Sequence, residues 1–138
     1  MNLDTKAWTP IGKSENADFY EIEEGLLAIV PFEGASDDER TAQQSVQIQH
    51  DYLKPRGRRA GVIVFMDPMV EQHASARTVY RDAPDPAFIT CYALVGGTAF
   101  GRAVGSIFLG LAKPRVPTKL FATLDDALAW ARSQRNRG

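Results

Sequence analysis

The sequence predicts an α/β domain with a mostly parallel sheet of about five strands, an N-terminal β-hairpin and about four helices. Residues 60–66 and 88–95 form two continuous apolar runs, which is typical of central strands covered on both faces. Segments with the spacing of amphipathic helices separate such runs along the chain. A length of 138 residues fits one domain.

The chain begins with a segment that has no hydrophobic periodicity. Residues 1–16 contain Pro10 and Gly12 and are predicted to form a flexible N-terminal arm, which leaves residues 17–134 for the domain. From Ala17 the residues alternate as in a strand, and residues 26–32 are almost entirely apolar. Gly25 lies between these runs and can adopt positive φ, so a β-hairpin is expected.

The next elements are predicted from caps and periodicity. Ser36 and Glu39 have the spacing of a capping box, so helix one is expected from there to about Leu53. Its apolar face would contain Ala42, Val46, Gln49 and Leu53. The strand at 60–66 follows, and helix two is predicted over residues 70–81.

In the second half of the sequence, predicted strands again alternate with predicted helices. After the strand at 88–95, Thr98 is predicted to cap a helix three that extends to about residue 112. A short strand at 118–122 precedes helix four, for which Thr123 is the predicted cap. Right-handed crossovers between these strands would place 60–66 beside 88–95 and cover the sheet with helices.

The element order resembles the STAS superfamily, which is known from anti-sigma-factor antagonists of the SpoIIAA type. The segment FLGLAKPRVPTKLF at 108–121, followed by ALAWA at 127–131, is similar to an uncharacterised bacterial branch with an FxGLxKPxxPxxxF pattern. The resemblance covers about residues 19–131. It implies a STAS/SpoIIAA-like fold and a protein-interaction or regulatory role without catalysis.

The resemblance also implies where a protein partner would bind. The superfamily has an Asp-Ser-Ser-Gly segment after a central strand, and its first serine is phosphorylated. Here Asp67 matches the aspartate, but Pro68 occupies the serine position, so the usual phosphorylation is not expected. The predicted partner-binding residues are Asp67, Met69, Val70 and His73.

Glycines at 97, 101 and 105 recur every four residues and would line one face of helix three. Such a face permits close packing of another element. Two interpretations remain open: packing against the sheet, or a homodimer contact that also involves Phe108. Gly97 also precedes a helix start, where anions can bind, but a tight turn is the favoured explanation of this glycine.

The sequence shows no recognisable catalytic or metal-binding motif. Cys91 lies in an apolar strand and is expected to act as a small hydrophobe. His50 and His73 are expected at the surface, and Glu71, two residues from His73, would point to a different side of a helix. The sequence has no HExxH or CxxC pattern. We therefore expect no enzyme activity, no metal and no cofactor.

Charge and composition narrow the partners and location. The net charge of -1 gives no attraction to nucleic acid or to anionic membranes. A single cysteine and a polar N-terminus without an apolar run predict a cytoplasmic protein. The arginines near the C-terminus, including Arg132 and Arg135, are expected to be solvated, with phosphate binding as the alternative.

Two binding functions follow from these observations. The first is a non-enzymatic interaction module that binds a protein partner, such as a signalling protein, or a second copy of itself. The second is a small-molecule domain for a lipid or nucleotide, which a sizeable apolar pocket beneath helix three would favour.

Overall fold

The strands and helices follow the apolar patterns of the sequence closely. A computed structural model describes residues 3–99, 101–103, 106 and 114–135. Residues 99, 101–103 and 106, between the last two strands, are helical. In chain order the elements are β1 (Thr9–Lys13), β2 (Ala17–Glu23), β3 (Leu26–Pro31), β4 (Ala35–Asp37), α1 (Glu39–Leu53), β5 (Ala60–Phe65), β6 (Met69–Gln72), α2 (Ala74–Asp82), β7 (Ile89–Val95), β8 (Thr118–Phe121) and α3 (Leu124–Arg135).

The main sheet has six strands in the order β1-β2-β3-β5-β7-β8. The β1–β2 and β2–β3 pairs are antiparallel, and the remaining pairs are parallel. The predicted hairpin is confirmed, and Gly25 in its turn has a φ of 89°. β5 and β7 lie side by side with Val62 opposite Tyr92, as the sequence predicted. The mostly parallel α/β architecture is therefore confirmed, with six strands instead of about five.

The extra strand comes from the predicted arm. The expectation that residues 1–16 lack regular structure is wrong for Thr9–Lys13, which pairs with β2 as the edge strand. Just before this strand, the Trp8 ring stacks on Phe65 with centroids 6.1 Å apart. β1 was missed because an edge strand that contains Pro10 and Gly12 has little apolar alternation to detect.

The start of α1 also differs from the prediction. Ser36 is not the cap, because residues 35–37 are extended and form β4. Asp38 is the N-cap: its carboxylate accepts from the backbone N–H of Thr41 at 2.9 Å, and the Thr41 hydroxyl accepts from the N–H of Asp38 at 2.9 Å. The capping box is therefore shifted by two residues. The predicted end at Leu53 is confirmed.

A second, two-stranded sheet explains why α2 begins late. β4 and β6 pair in parallel, and we call them the β4–β6 ribbon. Because residues 69–72 belong to this ribbon, the helix predicted over 70–81 begins at Ala74 instead. Short strands that pair only with each other leave no clear period in the sequence.

The two faces of the main sheet carry separate cores. One core lies under α1 and α2 and includes Leu53, Val62 and Tyr92. The other lies under α3 and includes Phe65 and Ala131. The predicted inner face of α1 is buried, including its polar member Gln49. On α3 the Thr123 hydroxyl accepts from the N–H of Asp126 at 3.2 Å, which confirms that cap.

The C-terminal arginines hold the hairpin. Arg132 and Arg135 both donate to the carboxylate of Glu23, with shortest distances of 2.6 and 3.2 Å. Arg135 also donates to the backbone carbonyl of Glu24 at 2.8 Å. These two side chains connect α3 to the β2–β3 turn by hydrogen bonds. The expectation that they are only solvated is therefore wrong. Among the described residues no helix is long and apolar enough to cross a bilayer.

Candidate functional site

Asp67 lies two residues after the end of β5, and both of its carboxylate oxygens accept hydrogen bonds. It accepts from the backbone N–H groups of Gly97 and Thr98 at 3.0 Å each, and from the Thr98 hydroxyl at 2.8 Å. The Thr98 oxygen in turn accepts from the N–H of Gly101 at 3.0 Å, which confirms Thr98 as a helix cap. Partial burial favours the neutral acid, but the bonds from Thr98 and Gly97 outweigh it and lower the pKa of Asp67.

The glycines around this helix start leave room for the same carboxylate. A Cβ atom at Gly101 would lie 2.2 Å from Asp67 Oδ1, and one at Gly97 would lie 3.3 Å from Oδ2. Close packing onto Asp67 therefore accounts for both glycines, and a protein carboxylate occupies the position where an anion would bind. Gly105 and Phe108 lie outside the described residues, so the homodimer contact through this face stays a prediction.

The other predicted partner-binding residues do not form one exposed surface. Met69 is only 4% exposed and packs inward, whereas Val70 is 58% exposed. His73 is exposed, and its Nε2 lies 3.1 Å from Glu71 Oε1. The expectation that Glu71 and His73 point apart is wrong, because residues 70–72 are extended and positions two apart in a strand share a side.

A cavity of about 40 Å³ lies between the main sheet and the β4–β6 ribbon, near the carboxyl ends of β3, β5 and β7. We call it the Asp37 cavity. Its polar lining residues are Asn16, Asp37, Ser45, Gln72 and Tyr80, and its apolar ones include Ile29, Val64, Met66, Met69 and Leu94. In open α/β sheets ligands commonly bind outside the carboxyl ends of the strands.

Asp37 is the central polar group of this cavity and is 1% exposed. Its Oδ1 accepts from the Thr41 hydroxyl at 2.6 Å and from Asn16 Nδ2 at 3.3 Å. Its Oδ2 accepts from Gln72 Nε2 at 3.2 Å, and nearby Tyr80 also favours the charged carboxylate. Burial raises the pKa of Asp37 although these four neighbours favour the charged form.

Further buried polar groups extend from the cavity into α1. The Tyr92 hydroxyl donates to Gln49 Oε1 at 2.6 Å, and Gln49 Nε2 donates to the Ser45 hydroxyl oxygen at 3.0 Å. Burial raises the pKa of both Tyr92 and Tyr80, so their hydroxyls remain neutral donors. The side-chain oxygen of Gln72 is buried without a hydrogen-bond partner.

Sequence reasoning missed this site because its members are distant in sequence. Asp37 lies between two other polar residues, Ser36 and Asp38, and resembles a solvated helix start. Its donors come from positions 16, 41 and 72 and meet only in the folded chain. One signal existed: polar Ser45 and Gln49 lie on the otherwise apolar face of α1.

His50 and Cys91, the other residues considered for chemistry, are held in place by structural contacts. His50 Nε2 accepts from the backbone N–H of Asp85 at 3.2 Å, and partial burial lowers the pKa of His50. Cys91 is fully buried, and burial raises the pKa of its thiol. Across residues 3–99, 101–103, 106 and 114–135, no group of three or more His, Cys, Asp or Glu side chains could hold a metal ion.

Comparison with known proteins places the chain in a family. A family model described as a domain of unknown function, DUF7793, matches residues 20–135, and the chain belongs to this family. No curated protein matches the chain.

One similar solved structure is an uncharacterized protein of the DUF3478 family from Shewanella loihica PV-4. It is 10% identical, with a TM-score of 0.47, and the match covers 94% of this chain and 99% of that one. Its description gives a SpoIIAA-like fold. Residues 108–113 of the segment that carries the FxGLxKPxxPxxxF pattern lie outside the described residues.

Proposed function

We propose that this chain is a non-enzymatic α/β domain that binds a small molecule in the Asp37 cavity. The observation that carries the proposal is the enclosed space beside two buried acceptors, the Asp37 carboxylate and the unpaired oxygen of Gln72. Buried polar atoms in proteins nearly always have a partner, and a bound ligand would supply one for Gln72.

The size and lining of the cavity support a ligand of few atoms. Small-molecule pockets for drug-sized ligands have about 300–1,000 Å³, whereas this cavity has about 40 Å³. A lipid or a nucleotide would therefore require the β4–β6 ribbon to move. Because the polar side chains already hold one another by hydrogen bonds, the arrangement favours recognition over proton transfer, and we propose that the domain has no catalytic role.

A cavity-filling variant tests this proposal. Ala17 lines the cavity, and Ala17→Val would add two methyl groups into the space. Native mass spectrometry of protein purified from its own cells should detect a non-covalent small molecule on the wild type and none on Ala17→Val. Ala74→Val, on an exposed residue of α2, is the matched control and should retain it.

A panel of small polar molecules gives a second measurement. In a wild-type NMR titration, binding should shift the side-chain signals of Asn16, Gln72 and Met69, which line the cavity. If no compound shifts these signals and the purified protein has no adduct, ligand binding at this cavity is contradicted.

A second candidate function is a protein-interaction module, which the exposed Val70 favours. This β-branched residue lies on the β4–β6 ribbon beside Glu71, so an apolar and a charged group are presented together. Either a protein partner, such as a signalling protein, or a second copy of the chain would bury Val70. Sedimentation of the wild type and of Val70→Ser tests self-association: a monomer in both would exclude this surface as the homodimer contact.

A further inference from the structure

The Asp37 carboxylate has hydrogen-bond donors but no opposite charge beside it. The donors are the side chains of Thr41, Asn16 and Gln72, all of them neutral. Within the part of the chain that the structure describes, no lysine, arginine or histidine forms an ion pair with Asp37. Burial of an unpaired charge is costly, so a cation in the adjoining cavity would be strongly favoured there.

The unpaired oxygen of Gln72 lies close to this carboxylate. The same amide donates through Nε2 to Asp37 Oδ2 at 3.2 Å, so its Oε1 is a second acceptor near the charge. Both groups accept hydrogen bonds, and a ligand that satisfies both must therefore carry several N–H or O–H donors on one small group. An ammonium group has three donors and a positive charge.

A metal ion fits these two acceptors poorly. Calcium and magnesium require about six oxygen ligands, and the described residues hold no cluster of three or more acidic, cysteine or histidine side chains. The other walls of the cavity are apolar and include Ile29, Val64 and Leu94. These walls suit a short hydrocarbon chain attached to the charged group.

The cavity volume limits the length of that chain. A water molecule needs about 10–15 Å³ measured in this way, so a cavity of about 40 Å³ holds a ligand of only a few heavy atoms. We propose that the ligand of the Asp37 cavity is a short primary alkylamine, bound as its ammonium ion between the Asp37 carboxylate and Gln72 Oε1. The inference rests on the proposed function and specifies its ligand class.

A pair of probes of equal size tests the inference on the wild-type protein. Propylammonium chloride and 1-propanol would be titrated at constant ionic strength while the side-chain signals of Gln72 and Met69 are followed by NMR. Hydrogen bonds to a charged group add about 1.5–3 kcal/mol, so propylammonium should bind about 10- to 100-fold more tightly than 1-propanol.

A matched pair of variants assigns the preference to one carboxylate. Asp37→Asn keeps the shape and removes the charge, so it should reduce the preference for propylammonium to about one, while binding of 1-propanol remains. Asp51→Asn removes an exposed charge from α1 and should leave the preference unchanged. Gln72→Met, which removes the second acceptor, should weaken propylammonium binding more than 1-propanol binding.

The outcomes separate the inference from the function on which it rests. Binding of 1-propanol as tightly as propylammonium, or an unchanged preference in Asp37→Asn, would overturn the amine inference and leave a neutral-ligand cavity. If neither probe nor pressurised xenon gas shifts the cavity signals of the wild type, both the amine inference and the proposed binding function fail.

Discussion

Two carboxylates near the carboxyl ends of the parallel strands differ in their burial, their hydrogen-bond donors and the direction of their pKa shifts. Asp67 is partly exposed and accepts from two backbone N–H groups and the Thr98 hydroxyl at a helix start. Asp37 is buried and accepts from neutral side chains beside a cavity. The pKa of Asp67 is lowered, whereas burial raises that of Asp37.

The difference indicates which carboxylate stabilises the fold and which one would gain from the ligand that we propose. A group with a lowered pKa stabilises the folded protein above its unfolded pKa, and that contribution is lost as the pH falls through the folded pKa. A carboxylate with a raised pKa does the reverse, since its ionised form opposes folding. The hydrogen bonds of Asp67 therefore stabilise the contact between the helix start and the end of β5. Burial of the ionised Asp37 carboxylate costs free energy, and a bound cation would reduce that cost.

The largest expected effect comes from filling the space beside Asp67. Gly101→Leu would place Cβ about where the carboxylate oxygen lies, so the helix start and Asp67 would have to separate. We expect a loss of about 1–3 kcal/mol in the free energy of unfolding, measured by urea denaturation. Ala103→Leu, on an exposed residue of the same helical segment, is the control. Unchanged stability and oligomeric state in Gly101→Leu would mean that this face is open to solvent.

A smaller loss is expected for Asp67→Asn. The amide retains one acceptor oxygen, so one of the backbone N–H groups of Gly97 and Thr98 loses its partner. The cost should be about 1 kcal/mol at neutral pH, which corresponds to about 3–5 °C in Tm. As the pH falls through the folded pKa of Asp67 the wild type should lose this advantage, and equal Tm values at all pH values would contradict the assignment.

The smallest effect, of opposite sign, is expected for Asp37→Asn without ligand. Removing an unpaired buried charge favours the folded state at neutral pH, but the amide keeps only one acceptor oxygen for the donors of Thr41, Asn16 and Gln72, so the net gain should be less than about 1 kcal/mol. The gain should disappear below the unfolded pKa of an aspartate, where the wild type is protonated in both states. A destabilised Asp37→Asn at neutral pH would reverse the comparison, and Tm measured across pH decides between the results.

The sequence predicted most of the sheet, because its central strands are defined by composition alone. β5 and β7 are almost entirely buried, and the residues that make them apolar lie next to one another in the chain. Gly25 and Thr123 were predictable for the same local reason, since a turn and a cap each need one residue type at one position.

The β4–β6 ribbon and the site that it encloses were not predictable. β4 has three residues and β6 has four, and the polar residue Asp37 occupies a buried position of β4 that would usually be apolar. Their pairing joins segments more than thirty positions apart, so local periodicity gives no sign of it. The predicted binding residues near Met69 were close to the cavity along the chain, but the inward side chain of Met69 depends on this pairing.

α3 follows β5 and β7 in the sequence, and this order has a consequence for biosynthesis. Its residues cover Phe65, Cys91 and Val95 on β5 and β7, which are synthesised earlier. Until α3 emerges from the ribosome, these residues lack the cover that it provides and are prone to association with other nascent chains. Arg132 and Arg135, in the last turns of α3, then form hydrogen bonds with Glu23 of the hairpin. Truncation of those turns should expose this side of the sheet and promote aggregation.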